Sequence, residues 1–197
     1  MNTKLLLLGF LATNSVACVV HRNDYNVILD PQFSDNEYEK ALSGIDDWTS
    51  KIPELTLNPV IGACSGRVDA TICVHASTGA EVASHAHKSI QSNGQPPIGY
   101  TDNSDGHPED WMEGIDGAEI WIAMDWVGDG QKDENDFRAV VEHEIGHGMS
   151  MVHHNEHGNL MALDHTNWET YADCDDVAQF YQIRGRDVPA CKIGEGQ

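Results

Sequence analysis

The chain has 197 residues, with 11 lysines and arginines against 32 aspartates and glutamates, which gives a formal net charge of −21. This length suits one domain with a single core, and the hydrophobic share of 40% is typical of a globular protein rather than a disordered one. The charge argues against nucleic acid and anionic membrane surfaces as partners, and favours cations or basic peptides.

The N-terminus is typical of an export signal. One lysine precedes an apolar run over residues 5–11, which is too short to remain as a membrane-spanning helix. Ser15-Val-Ala17 suits an ordinary signal peptidase, whereas the same residues followed by Cys18 resemble a bacterial lipobox. Lipidation of Cys18 leaves an even set of cysteines, as an exported protein favours. We predict a signal peptide over 1–17 and a lipoprotein at the bacterial cell surface or outer membrane; the alternative is a secreted protein.

The next elements follow from local patterns. Residues 18–33 are predicted to be a tether or short pro-segment, so that the folded domain spans 34–197. Ser34 and Glu37 form a capping-box pattern, and the apolar spacing behind it predicts a helix that ends before Pro53. Two strands are expected, over residues 55–61 and 71–76. The stretch between 77 and 117 is rich in Gly, Pro, Ser, Asn and Asp, which predicts long loops with little regular structure.

The second half of the chain predicts one more strand and two helices. Residues 118–125 alternate between apolar and polar, as in a strand, and 128–130 read Gly-Asp-Gly, as in a turn. A helix is expected over 136–149, with acidic residues at its start, and a last helix over 173–183. One helix, strands and then two helices, with no repeat or linker, predict a single α+β domain.

Four cysteines remain beside Cys18, and they allow three connectivities. Pairing of sequence neighbours predicts the disulfides Cys64–Cys73 and Cys174–Cys191.

A metal site is indicated by His143-Glu-Ile-Gly-His147 on the helix over 136–149. Two histidines four residues apart lie one turn apart on the same side of a helix, where they can bind one Zn²⁺. Glu144 then projects beside the metal, as a general base for a metal-activated water requires. The alternative interpretation is that both histidines are simply solvated.

A catalytic zinc needs a third protein ligand, which a continued helix does not supply. On such a helix, His153 would point away around the axis and His154 would lie about 10 Å further along it. The helix must therefore end soon after His147 and the chain must reverse. His153, His154 and His157 are the candidates, and the spacing favours His153.

The run from His143 to His153 resembles the metzincin zinc signature H-E-x-x-H-x-x-G-x-x-H, with Ser150 in the position of the helix-ending Gly. A non-Gly residue in a left-handed conformation costs about 1 kcal/mol, which a zinc bond can offset. Gly158-Asn-Leu-Met161-Ala is similar to the methionine turn of the same clan. Matrixin-like catalytic domains, bacterial and animal, are the nearest fit.

This resemblance implies a metzincin-like zincin domain: a small twisted sheet with an opening helix, a zinc-binding active-site helix and a C-terminal helix. It implies His143, His147 and His153 as zinc ligands, Glu144 as the catalytic base and Met161 as support beneath the zinc. The activity implied is that of a zinc metalloendopeptidase, a hydrolase acting on protein or peptide substrates. The strand over 118–124 would offer an edge for an extended substrate. We expect a monomer, with membrane contact only through a lipid anchor at Cys18.

Two rival functions and several weaker sites stay open. The domain could bind zinc without cleaving anything, as an adhesin or metal sink, or it could be a calcium-dependent surface module. Acidic loops at 102–106 and 125–136 could hold Ca²⁺ or be merely solvated. His85 and His87 could join a second zinc, although loop histidines are more often unliganded. Tyr171 and Tyr181 could stabilise an oxyanion, but neither has a matching spacing and both are expected to pack in the core or at the surface.

Overall fold

The computed structural model of the chain describes residues 21–64, 66–86, 98–103, 115–127, 134–153, 159–162 and 171–190. The fold is α+β, as predicted. Its elements in chain order are β1 (Asp24–Leu29), α1 (Asp35–Lys51), β2 (Thr56–Ile61), β3 (Thr71–Ser77), α2 (Gly79–His85), β4 (Gly99–Asn103), β5 (Ala118–Ala123), α3 (Met124–Val127), α4 (Glu134–Gly148) and α5 (Cys174–Ile183).

The five strands form one sheet in the order β2-β1-β3-β5-β4. The first four strands in that order run parallel, and β4 is antiparallel to β5. Among the described residues, β5 pairs with a strand on each side, whereas β2 and β4 lie at the edges. The expectation that residues 118–124 offer a free edge to a substrate is therefore wrong. The edge on that side of the sheet belongs to β4.

The segment before residue 34 is part of the fold rather than a tether. β1 pairs with both β2 and β3, and its side chains Tyr25, Val27 and Leu29 are buried. The prediction of a tether or pro-segment over 18–33 is wrong for these residues. The alternation of polar and apolar residues from Asp24 to Val27 is the sequence pattern that could have predicted this strand. Residues 1–20, with the signal peptide and Cys18, lie outside the described residues.

Helix α1 begins and ends as its sequence predicts. Ser34 Oγ accepts a hydrogen bond from the Glu37 N–H at 3.4 Å, and Glu37 Oε2 accepts one from the Ser34 N–H at 2.7 Å. The helix buries Ala41, Ile45 and Trp48 in the main core. The Trp48 indole Nε1 also donates to the Glu142 carbonyl at 2.9 Å, which fixes α1 against α4.

Regular structure interrupts the stretch that was expected to consist of long loops. Helix α2 begins after Thr78, whose hydroxyl forms a second capping box with Glu81, and β4 completes the sheet. Val82 of α2 packs with Trp121 and Ala123 of the sheet in a small second core. The loop prediction is wrong here. It rested on the Gly and Pro content of the stretch, although Thr78 and Glu81 have the same capping-box spacing as Ser34 and Glu37.

One of the two predicted disulfides lies within the described residues. Cys64 and Cys73 form the predicted disulfide, with their Cα atoms 6.1 Å apart. Cys174 is also disulfide-bonded, and Cys191 lies outside the described residues. So does the turn predicted at 128–130. In the described parts of the chain, no helix is both long and apolar enough to cross a membrane.

Candidate metal centre

Two histidines at the end of α4 are oriented by main-chain carbonyl groups. His143 Nδ1 lies 2.7 Å from the Leu160 oxygen, and His147 Nδ1 lies 2.8 Å from the Met151 oxygen. Because a carbonyl oxygen only accepts hydrogen bonds, each Nδ1 carries a hydrogen, and in the neutral ring Nε2 keeps its lone pair. Burial lowers the pKa of His147, although the bond to Met151 opposes this. Neutral rings in this orientation present Nε2 to a metal ion.

The third histidine comes from the chain beyond α4. His153 Nε2 lies 3.1 Å from His147 Nε2 and 3.2 Å from His143 Nε2, and the last two atoms are 3.0 Å apart. Imidazole nitrogens around a tetrahedral Zn²⁺ are about 3.3 Å from one another. The three residues can thus hold one metal ion, and the triangle is compatible with zinc. His154 and His157, the other candidates, lie outside the described residues.

Ser150 takes the left-handed conformation that the signature gives to Gly, with φ 70°. The Ser150 N–H donates to the His147 carbonyl at 2.8 Å, and the Met151 N–H donates to the Gly146 carbonyl at 3.0 Å. These are the two bonds of a Schellman motif, in which the residue after the helix is left-handed. The helix therefore ends after Gly148, and the reversed chain returns His153 to the other two ligands.

Glu144 lies between the histidines in sequence and against β4 in space. Its carboxylate Oε2 accepts a hydrogen bond from the Thr101 hydroxyl at 2.5 Å. Gly99 leaves room for the same carboxylate, because a Cβ there would lie 2.5 Å from Glu144 Oε1. Asn103 donates its side-chain amide to the His147 carbonyl at 2.9 Å. Sequence reasoning missed these β4 residues because it expected loops where β4 lies.

Met161 lies in a turn beneath the histidines. The Ala162 N–H donates to the Asn159 carbonyl at 3.1 Å, which closes the turn, and Met161 is fully buried. Its sulfur packs under Gly146, where a Cβ would lie only 2.6 Å from Sδ. The preceding carbonyl, that of Leu160, orients His143. The structure thus puts Met161 below the helix turn that joins His143 and His147.

Helix α5 supports both of the segments that follow α4. Asp176 Oδ1 accepts from the Met161 N–H at 3.3 Å, and its other oxygen accepts from the Asp173 N–H at 2.9 Å. Burial raises the pKa of Asp176 to about 7. Gln179, one turn further on, bonds to Val152. No metal-site motif includes these residues, and the pattern of α5 predicts only a helix here.

A buried polar cluster lies behind α4, away from the histidines. Glu142 is fully buried and pairs with Arg138 at 2.5 Å, and its pKa is raised to about 9 by burial and by its bond to Asp47. The Arg138 guanidinium stacks on the Tyr171 ring at 3.8 Å. Tyr181 donates to Glu54 Oε2 at 2.6 Å. Tyr171 and Tyr181 thus contact protein groups, as residues that pack in the core or at the surface do.

The described members of the other candidate sites are engaged by protein groups. Asp125 Oδ1 accepts from the Gly79 N–H at 2.7 Å, and Asp102 pairs with Arg67 at 2.7 Å. His85 stacks on Trp121, with ring centroids 3.9 Å apart, and His87 lies outside the described residues. These contacts give no support for a calcium site or for a second zinc site.

No family model and no curated protein matches this chain. The resemblance to metzincins therefore rests on the residues of the motif.

Proposed function

We propose that the chain is a zinc-dependent endopeptidase of the metzincin type, nearest to the matrixin-like catalytic domains. The observation that carries this proposal is the convergence of three histidine Nε2 atoms within 3.0–3.2 Å of one another, next to the buried Glu144. A site that only stored metal would have no need of a carboxylate at this position.

In this proposal, His143, His147 and His153 hold the zinc. When bound, Zn²⁺ polarises the scissile carbonyl and makes water more acidic at neutral pH. Glu144 takes up the proton of the attacking water and passes it to the leaving amine. The Thr101 hydroxyl and the space at Gly99 fix the carboxylate of Glu144 for these two transfers.

The edge of β4 is suited to an extended substrate. Among the described residues, β4 pairs only with β5, so the main-chain groups on its other side can pair with a peptide. Thr101 and Asn103 of this strand already contact Glu144 and the His147 carbonyl. A peptide that adds to this edge would therefore run alongside the residues proposed to cleave it.

The test compares the zinc-loaded protein with its Glu144→Gln variant on a diverse peptide pool, with new termini counted by mass spectrometry. Glutamine keeps the size that Gly99 and Thr101 require but does not accept a proton, so cleavage should fall about 10²–10⁴-fold. Zinc binding should be retained.

Glu39→Gln, an exposed change on α1, is the matched control and should cleave normally, whereas a chelator should stop all cleavage. Zinc binding without any cleavage by the unaltered protein would overturn the peptidase proposal. That outcome would favour the adhesin or metal sink instead.

A further inference from the structure

The main chain next to His153 is not fixed by burial of Val152, the residue before it. Residues 151–153 have no regular secondary structure, and the Val152 side chain is 62% exposed. A metal ligand must nevertheless stay within about 0.5 Å of its working position. Met151 is buried, so beyond it the position of His153 depends on what holds the backbone of Val152.

Gln179 holds that backbone from both sides. The Val152 N–H donates to Gln179 Oε1 at 3.0 Å, and Gln179 Nε2 donates to the Val152 carbonyl at 3.0 Å. The Gln179 side chain is only 9% exposed, so little water competes for these bonds. A planar amide in this position gives one residue both of the bonds that a neighbouring β-strand would give.

The helix that carries Gln179 is itself firmly fixed. The Asp173 side chain caps the N-terminus of α5, and Val177 and Phe180 on either side of Gln179 are buried. The same helix binds the Met161 turn through Asp176. Gln179 thus bonds Val152 to helix α5, which also supports the opposite side of the site.

Few other side chains could make this pair of bonds. Glutamate has the right length but no donor for the Val152 carbonyl, and its charge would lie against that oxygen. Methionine matches the length of glutamine but has no donor and only a weak sulfur acceptor. The pairing is therefore specific to the chemistry of glutamine and not to its size.

We propose that Gln179 is a positioning residue of the metal centre, which fixes Val152 and thereby keeps His153 Nε2 in the ligand triangle. This inference rests on the proposed function, because it assumes that the three histidines bind zinc. Groups that orient metal ligands typically contribute about 10–100-fold to metal affinity. Gln179 acts through the backbone of the loop, at one residue from the ligand.

The experiment measures zinc affinity of the full chain by competition with a chromophoric chelator, for Gln179→Met, Gln179→Glu and the control Gln182→Met. Gln182 lies on the same helix and is exposed. Gln179→Met should weaken zinc binding about 10–100-fold, and Gln179→Glu should also weaken it, because it lacks the donor and sets its charge against the Val152 carbonyl. Gln182→Met should bind zinc as the unaltered protein does. Unfolding of each zinc-free protein in denaturant shows whether a variant is folded.

The same changes in a His153→Ala background separate positioning from a general structural role. If Gln179 acts through His153, Gln179→Met should cause no further loss of affinity there. An equal loss in both backgrounds, or unchanged affinity in folded Gln179→Met and Gln179→Glu, would overturn the inference and leave the proposed function standing. Failure of the unaltered protein to bind zinc would overturn both.

Discussion

Two short segments complete the candidate metal site outside α4, and they are held in different ways. The turn at 159–162 is held by packing, because Leu160, Met161 and Ala162 are almost completely buried. The loop that carries His153 continues from the Schellman motif into exposed residues, and hydrogen bonds to Gln179 hold its backbone. Met151 anchors the start of this loop in the core, so one side of the site depends on the hydrophobic core throughout and the other depends on polar contacts beyond Met151.

This difference shows how a chain can place a ligand at its surface without weakening its core. Packing fixes Met161 and the Leu160 carbonyl, and through them the ring of His143. Hydrogen bonds are enough for the loop, because a bound metal adds its own free energy to the folded state. Substitutions in the turn should therefore change the stability of the zinc-free protein, and those in the loop should change metal binding.

The largest effect is expected for the loop ligand itself. His153→Ala removes one of three nitrogen ligands, so zinc affinity should fall by more than the roughly 100-fold that loss of a supporting group can cause. Competition with a chelator measures this. His85→Ala, which removes a histidine that stacks on Trp121, is the control. Equal affinities of the two variants would mean that His153 is not a ligand.

The turn should respond to loss of volume. Met161→Ala should lower the free energy of unfolding of the zinc-free protein by about 2–5 kcal/mol, and Met161→Leu by less than about 1.5 kcal/mol. In the loop, Val152→Ala should change it by no more than about 0.5 kcal/mol, because this side chain is exposed. Denaturant unfolding measures all three. Similar losses from Met161→Ala and Val152→Ala would contradict the comparison.

The pH dependence of the free energy of unfolding should reveal the raised pKa of Asp176, which lies beneath the turn. Burial raises the pKa of Asp176 from 3.8 to about 7. Between these values the unfolded chain releases the proton while the folded chain retains it, so rising pH favours the unfolded state. Relative to Asp176→Asn, the zinc-free protein should lose up to about 1.4 kcal/mol of stability per pH unit between pH 4 and 7. Parallel stability curves for the two proteins would be inconsistent with the raised pKa.

A small gain in stability is expected from a change at Ser150, where the loop begins. Ser150→Gly relieves a left-handed strain of about 1–2 kcal/mol, and the greater freedom of Gly in the unfolded chain offsets about 0.5–1 kcal/mol of it. The net gain in unfolding free energy should be about 0.5–1 kcal/mol. Ser150→Ala, which keeps the strain, should bring no gain. A gain from both variants would show that the hydroxyl, and not the backbone, is the source of strain.

The sequence predicted those parts of the fold that have strong local signals. The capping box at Ser34, the strand over β5 and the helices α4 and α5 are all present, because their periodicity or caps agree with their tertiary setting. β1 and β4 were missed for different reasons. β1 lies a few residues after the predicted export signal, and β4 is a short edge strand within a stretch rich in loop-forming residues.

The sequence predicted the site residues that lie close together along the chain. It did not predict those that packing brings to the site from distant positions. The spacing in the motif identified His143, His147 and His153, since a helix and one reversal relate them. Nothing in the motif pointed to Thr101, which lies 43 positions from Glu144 in the sequence, or to Gln179. Contacts of this kind depend on how elements pack, and a single sequence carries little information about them.

A crystal structure of the zinc-loaded protein, with anomalous diffraction recorded at the zinc edge, shows directly whether the three histidines share one ion. We expect one strong peak, about 2.0–2.1 Å from each of the Nε2 atoms of His143, His147 and His153. A peak bound by only two of these histidines, or by none, would mean that the three do not form one zinc site.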